Sequence, residues 1–151
     1  MANLIEPELT EPLLHSLQSE QFALLSTIDH ETGSPMVNAI SWVFAKDPNT
    51  IFLAINNRSR IVRNIQGNAQ VVLNVVALES TYSIIGEAII RQEYVEGIPL
   101  KLALIELNIK EVRDVMFYGA KMTNVPTYDK TYDLEAAKRL DQQVMEALKK
   151  A

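Results

Sequence analysis

One segment constrains the fold more than any other, a short basic stretch between two apolar runs. The runs Ile51–Ile55 and Val71–Val76 have the length and the β-branched content of strands. Three arginines fall within residues 58–63, in a stretch that begins like a helix at Ser59 and ends at Gly67. A helix N-terminus with guanidinium groups beside it suits a phosphate-bearing ligand. A solvated basic helix between two strands is the other interpretation.

The composition predicts one globular domain without thiol or disulfide chemistry. The 151 residues can bury one continuous core, so we assign residues 1–151 to a single domain. A net charge of −5 argues against nucleic-acid and anionic-membrane partners, and cysteine is absent. The two histidines, His15 and His30, lack ligand spacing, so no metal site is expected. Neither a signal-peptide pattern nor a membrane-length apolar run is present, and we expect a cytoplasmic protein.

Alternating apolar residues and turn signals predict a mostly β fold. Strands are expected at residues 22–28, 36–45, 51–55, 70–76, 82–94 and 101–110, with 112–118 as a continuation beyond a bulge. Helices are expected after Thr10, over 59–66 and from Asp133 to about residue 150, the last with apolar spacing at Leu134, Ala137, Leu140, Val144 and Leu148. Six antiparallel strands over about residues 20–120 fit a barrel or a sandwich. Closure is favoured, because an open sheet would leave long apolar edges.

The strand predicted at residues 36–45 has two dissimilar faces. One face carries Asn38, Ile40, Trp42 and Phe44, and the other carries Val37, Ala39, Ser41, Val43 and Ala45. Small side chains let another layer approach the backbone closely, and that layer is either a set of neighbouring strands, a second subunit or a flat ligand. Packing is the simpler interpretation for Val37 and Val43.

Five segments follow one another in a distinctive order. They are Leu-Leu-Ser-Thr-Ile-Asp at 24–29, a turn with Gly33 and Pro35, Asn-Ala-Ile-Ser-Trp-Val at 38–43, the run at 51–55, and Arg-Ser-Arg-Ile-Val-Arg-Asn-Ile at 58–65. In this order they resemble the pyridoxamine 5′-phosphate oxidase-like proteins of the FMN-binding split-barrel fold, and the resemblance covers about residues 20–120. It implies a six-stranded antiparallel split barrel with peripheral helices.

The resemblance implies a homodimer that holds FMN at its subunit interface. Family members bind the flavin phosphate through a Ser-Arg-Lys-like segment at the start of the short helix. Ser59 and Arg60 match its first two positions, Ile61 replaces the lysine, and Arg58 lies beside them. The ring is implied to follow the second and third strands, with Thr81 or Tyr82, entering the fifth strand, at its side. The complete implied site is Asn38, Ala39, Ile40, Ser41, Trp42, Ala54, Ile55, Asn56, Arg58, Ser59, Arg60 and Thr81.

The resemblance also limits the reaction. Pyridoxamine phosphate oxidases proper carry a C-terminal segment whose arginine and histidine hold the substrate phosphate, and nothing after Asp133 matches it. We therefore expect an oxidoreductase that uses FMN to pass electrons from a nicotinamide cofactor to a small-molecule acceptor, with no catalytic residue assigned. A non-catalytic flavin-binding or stress-related interaction protein is the alternative, and a barrel for haem or a deazaflavin is a third possibility. Tyr118, Tyr128 and Tyr132 form an aromatic segment that either packs or covers a cofactor edge.

Overall fold

The computed structural model describes residues 4–151, so residues 1–3 of the predicted domain lie outside it. The strands are β1 (Ile5–Glu6), β2 (Ala23–Ile28), β3 (Pro35–Ile40), β4 (Val43–Asp47), β5 (Thr50–Asn56), β6 (Gln70–Ala77), β7 (Ser80–Gln92) and β8 (Leu102–Asp114). The helices are α1 (Glu11–Ser16), α2 (Arg60–Gly67) and α3 (Leu134–Lys150). The predicted mostly β fold is confirmed, although the described chain forms an 8-stranded antiparallel sheet rather than a six-stranded one.

The strand predicted at residues 36–45 is two strands, and this is the main correction to the sequence-based fold. β3 pairs with β2, whereas β4 pairs with β5, which gives the strand order β3-β2-β6-β7-β8-β5-β4. The end strands of this path are therefore consecutive in the chain, joined only by Ser41 and Trp42. Because the chain itself links the two edges, the sheet is curled into a barrel.

Backbone hydrogen bonds at Ser41 and Trp42 explain why the strand breaks there. The Ser41 carbonyl accepts from the Gln21 N–H at 3.1 Å, on the side of β2. The Trp42 carbonyl accepts from the Ala54 N–H at 3.1 Å, on the side of β5. Two successive carbonyl groups thus bond to opposite ends of the sheet, and the chain crosses from one to the other at this bend.

The bend also reverses which side chains face the main core. Before it, the even-numbered Met36 and Ile40 pack against that core. After it, the odd-numbered Val43 and Ala45 are fully buried in the core, while Phe44 joins a second cluster. The simple alternation expected along residues 36–45 is therefore wrong, because a one-residue change of phase turns every later side chain over.

Two apolar clusters hold the elements together. The main core fills the barrel and surrounds fully buried side chains such as Leu25, Leu53 and Ile105. The second cluster lies where α3 packs on β4, β5 and β8, and contains Phe44, Phe52, Ala54, Ile98, Leu102, Leu104, Val144 and Leu148. Of the apolar positions expected to face inward on α3, Leu134 is 69% exposed, because the helix begins there and its buried face starts at Ala137.

A β-bulge was expected before Val112, and the pairing of β7 with β8 contains one. Ile85 lies opposite Glu111, but the next residue, Gly86, lies opposite Ile109, so Lys110 is left without a partner across the ladder. β8 continues through the bulge and ends at Asp114 rather than at Tyr118. The bulge brings the backbone of β8 very close to Gly86.

The outer surface of β2, β3, β6 and β7 forms a face that we call the apolar sheet face. Residues opposite one another on neighbouring strands share a face, and the register aligns Val37 with Ser26, Ser26 with Val72, and Val72 with Ile85. Val37 is 57% exposed, so the packing expected for it does not occur within the chain. Its uncharged part, in which each residue is at least partly accessible, consists of Leu24, Ser26, Ile28, Pro35, Val37, Ala39, Val72, Asn74, Val76, Thr81, Ser83 and Ile85. The same register continues to Gln70 and Glu87, and Glu87 forms an ion pair with Lys110, so charged groups border the face at that end.

Candidate functional site

A cavity of about 620 Å³ lies where the bend, the end of β5 and the start of α2 meet. Nine of the twelve residues implied as a site line it, namely Asn38, Ala39, Ile40, Ser41, Trp42, Ala54, Ile55, Asn56 and Ser59. Its remaining wall is formed by Ile61, Leu100, Lys130, Tyr132 and Leu140. The volume falls within the roughly 300–1,000 Å³ of typical ligand sites, and most of the wall is apolar.

Local hydrogen bonds at the end of β5 fix the start of α2 against the cavity. The Asn56 side-chain oxygen accepts from the Arg58 N–H at 2.9 Å, and the Asn56 carbonyl accepts from the Ser59 N–H at 2.9 Å. This Asx turn reverses the chain immediately after the strand. The Ser59 hydroxyl then accepts from the Ile61 N–H at 3.1 Å and caps the helix. The positive end of the α2 dipole is consequently directed to the cavity wall.

The structure does not bring Arg60 to the cavity. Its guanidinium Nε donates to Asp29 Oδ1 at 2.8 Å, and its Nη2 lies 3.3 Å from Glu31 Oε1. The hydrogen bond from Arg60, with a second from Thr32, holds the pKa of the Asp29 carboxyl below its ordinary value. Arg60 therefore joins α2 to the turn between β2 and β3.

Asn64 explains the direction that Arg60 takes. It is fully buried one helical turn after Arg60, and its side-chain amide donates to Thr27 Oγ1 at 2.9 Å. The Asn64 side-chain oxygen accepts from the backbone N–H of His30 at 2.9 Å. Residues four apart lie on one face of a helix, so Arg60 and Asn64 contact the same turn. Sequence reasoning missed Asn64, because its partners are more than 30 residues away.

Arg58 and Thr81 are also absent from the cavity wall. Arg58 is exposed beside the start of α2. Thr81 lies on β7, where its hydroxyl is 3.8 Å from the sulfur of Met116. It belongs to the apolar sheet face and not to the surroundings of the cavity in its own chain.

The far wall of the cavity comes from a part of the chain that the sequence indicated only weakly. Tyr132 lines the cavity and Tyr128 donates to Glu20 Oε2 at 2.8 Å, whereas Tyr118 is 86% exposed elsewhere. The aromatic character of residues 118–132 was the one signal. No sequence feature placed Lys130 or Leu140 at the cavity, because both lie far in sequence from the barrel strands and from Trp42.

A larger cavity of about 920 Å³ lies around Tyr82, Phe117 and Tyr118. Of the implied positions, only Tyr82, the alternative to Thr81, lines it. Burial and the neighbouring Asp114 carboxylate raise the pKa of Tyr82. No helix begins at this cavity, and we place the candidate site at the smaller cavity, where an anion and a flat ring can be held side by side.

The fold and the cavity together define an antiparallel barrel protein with a candidate ligand cavity at the bend between its two edge strands. The profile of the family described as Pyridoxamine 5′-phosphate oxidase matches residues 9–116, and the chain belongs to this family. A comparison with curated proteins found no match.

Solved structures with the same fold have low sequence identity to this chain. A Lactobacillus delbrueckii protein proposed to be a pyridoxamine 5′-phosphate oxidase is 20% identical, with a TM-score of 0.61 over 74% of this chain and 98% of that one. General Stress Protein 26 from Bacillus anthracis is 16% identical, with a TM-score of 0.56 over 68% and 89%. An F420 reductase is 16% identical, with a TM-score of 0.55 over 69% and 98%. At these identities the likeness establishes the shared fold.

Two further findings concern residues 4–151. No helix there is long and apolar enough to cross a membrane. In the same range, no three His, Cys, Asp or Glu side chains are grouped as metal ligands would be.

Proposed function

We propose that the cavity holds FMN, with the ring along the bend and the phosphate at the start of α2. The observation that carries this proposal is the meeting of nine implied site residues with the N-terminus of a helix in one cavity. Family membership supports a flavin or a related cofactor in general terms. FMN is the member of that group whose phosphate suits the helix N-terminus.

The ring end of the cavity fits a flat, largely apolar group. Trp42, Ile55 and Leu140 supply apolar wall, and the small side chains of Ala39 and Ala54 leave room beside the backbone. Trp42 is held in place because its indole N–H donates to Asp141 Oδ1 at 2.9 Å. A preformed wall of this kind binds a ring without first paying the entropy of ordering its side chains.

The phosphate end fits less completely. Ser59 and the helix N-terminus favour an anion, but Ile61 removes the lysine of the resembled motif and Arg60 is bonded to Asp29. Arg58, exposed and directly before Ser59, is the cation that we assign to the phosphate. Its long side chain can reach the first turn of α2 from that position.

We also propose that two copies of the chain pack through the apolar sheet face. An exposed uncharged patch of this extent, with charged groups only at its border, is a typical subunit contact. Ala39 belongs both to this face and to the cavity wall, so a second copy seated there would lie at the cavity edge. Thr81 lies on the same face, and pairing would carry it toward the cavity of the other protomer. This accounts for a flavin-contacting position that is remote from the cavity of its own chain.

The proposed activity is transfer of electrons from a nicotinamide cofactor to a small acceptor. Bound FMN supplies the redox chemistry, and the protein positions it and tunes its potential. The residues of this chain orient the ring against Trp42, neutralise the phosphate and exclude water at Leu140. Since no residue after Asp133 matches the substrate-phosphate segment of the true oxidases, pyridoxamine 5′-phosphate is not the proposed substrate.

A titration with FMN tests the proposal directly. Trp42 is the only tryptophan of the chain and lines the cavity, so FMN binding should quench its fluorescence. The loaded protein should show the visible flavin spectrum and oxidise NADH or NADPH. Binding without turnover would favour the non-catalytic alternative. Quenching of Trp42 by a deazaflavin and not by FMN would make the deazaflavin the proposed cofactor. Absence of quenching by either ligand would overturn the proposed site.

A further inference from the structure

The connection between β8 and α3 has an anchored start and contributes to the cavity wall near its end. It is longer than the roughly 12–15 residues beyond which structureless loops are usually functional. Its first part is fastened where the Met122 N–H donates to the Glu79 carbonyl at 2.9 Å. Its second part, residues 123–132, reaches the cavity with Lys130 and Tyr132, and we call this part the strap.

One lysine fastens the strap to two different parts of the fold. Lys130 Nζ donates to Glu20 Oε2 at 2.8 Å and to Asp141 Oδ1 at 3.0 Å. Glu20 lies between α1 and β2, and Asp141 lies on α3, so this one ammonium joins three elements. The side chains of Lys130, Glu20 and Asp141 are only 23%, 19% and 18% exposed, which limits screening by solvent.

The same cluster touches the cavity wall. Lys130 Nζ lies 6.0 Å from the centre of the Trp42 ring, and Trp42 shares the Asp141 oxygen with Lys130. Burial by itself would lower the pKa of Lys130, but the hydrogen bonds to the two carboxylates raise it. Burial and the hydrogen bond to Glu20 raise the pKa of Tyr128 to about 12. With its pKa raised, Lys130 keeps its positive charge near neutral pH.

We propose that the strap is a gate over the cavity and that Lys130 is the positioning residue that keeps it closed. Ligand entry and release then require that Lys130 leave Glu20 and Asp141 together, which uncovers Trp42. Without Lys130, two partly buried carboxylates face one another and favour the open strap. This inference rests on the proposed ligand cavity, but the gate itself can be measured without a ligand.

The test compares Lys130→Met with Lys121→Met. Lys121 forms an exposed ion pair with Glu79 near the anchored start of the same connection, which makes it a matched control. In the ligand-free protein, Lys130→Met should increase acrylamide quenching of Trp42 severalfold, and Lys121→Met should leave it unchanged. With FMN, Lys130→Met should speed dissociation by about tenfold or more, because two charge-assisted hydrogen bonds are lost.

Asp141→Asn keeps an acceptor for the Trp42 indole but removes one charge from the cluster, and should give an intermediate increase in both readouts. If Lys130→Met does not fold, Asp141→Asn alone tests whether the strap is a gate. Lower urea stability of these variants with unchanged quenching and unchanged FMN rates would overturn the gate and leave Lys130 a structural residue. If wild-type FMN binding fails, the proposed function falls, while the quenching comparison still decides the gate.

Discussion

At the scale of single residues, the sequence predicted where turns and caps lie better than it predicted which partner a side chain contacts. The turn at Asn56 and the cap at Ser59 could be predicted because each depends on neighbours within three residues. The partner of Arg60 could not, because Asp29 lies 31 positions away in sequence and the face of α2 that meets it is set by the buried Asn64. A motif match thus located the start of the helix correctly while leaving open which arginine meets a phosphate.

Comparison of two arginine variants separates the two roles. Arg58→Ala should weaken FMN binding about tenfold or more and riboflavin binding little, because only FMN has the phosphate. Arg60→Ala should affect both ligands alike, through the turn that holds α2. Since Arg60 is 43% exposed, solvent screens its pair with Asp29, which should contribute little to stability. Selective loss of FMN in the Arg60 variant alone would assign the phosphate to Arg60, which would then have to leave Asp29.

At the scale of elements, the positions of strands and helices were predictable, but the break at the bend was not. Periodicity gave β6, α2 and α3 to within a few residues, and even the bulge near Lys110. It could not show that residues 36–45 pair with two different strands, because the apolar content is continuous through the bend. Only the hydrogen bonds of Ser41 and Trp42 to opposite ends of the sheet reveal the break.

The close approach of β8 to Gly86 at the bulge predicts that alanine at this position destabilises the fold. A Cβ added to Gly86 would lie 2.2 Å from the Asn108 carbonyl oxygen, so Gly86→Ala should force the two strands apart and cost about 1–3 kcal/mol of stability. Gly67→Ala is the matched control, since its Cβ would meet only His30 Cβ at an ordinary 3.7 Å. That change should be neutral or stabilising by about 0.4–1 kcal/mol. Urea denaturation of both variants measures the difference, and equal stabilities would show that the bulge can relax.

At the scale of the whole molecule, small residues predicted a subunit interface but could not locate it. Small residues such as Ala39 indicated a close approach, and the structure adds that they continue into a face spanning four strands. Val37 illustrates the difference, because an exposed valine in a strand looks like a core residue until the register is known. Thr81 lies away from the cavity of its own chain, so it can contact a bound flavin only if two chains pair.

A charge placed on the apolar sheet face should prevent pairing. Wild type is expected to sediment as a dimer at micromolar concentration, with an interface of roughly 1,600 Å² or more. Val37→Lys should shift it toward the 17.0 kDa monomer without unfolding, since that side chain is 57% exposed. Leu134→Lys, at a 69% exposed position on α3, is the control and should stay dimeric. A monomeric wild type would contradict the interface.

The bend between β3 and β4 has a consequence for how such a chain tolerates insertions and deletions. Ile40 and Val43 face the main core because β3 pairs with β2 and β4 pairs with β5. Inserting a single residue into either strand would turn the core side chains of that strand to solvent. Any change of length must be absorbed by Ser41 and Trp42 themselves. Those two residues are also cavity wall, so length variation in this strand would reshape the ligand site while the barrel on either side kept its register.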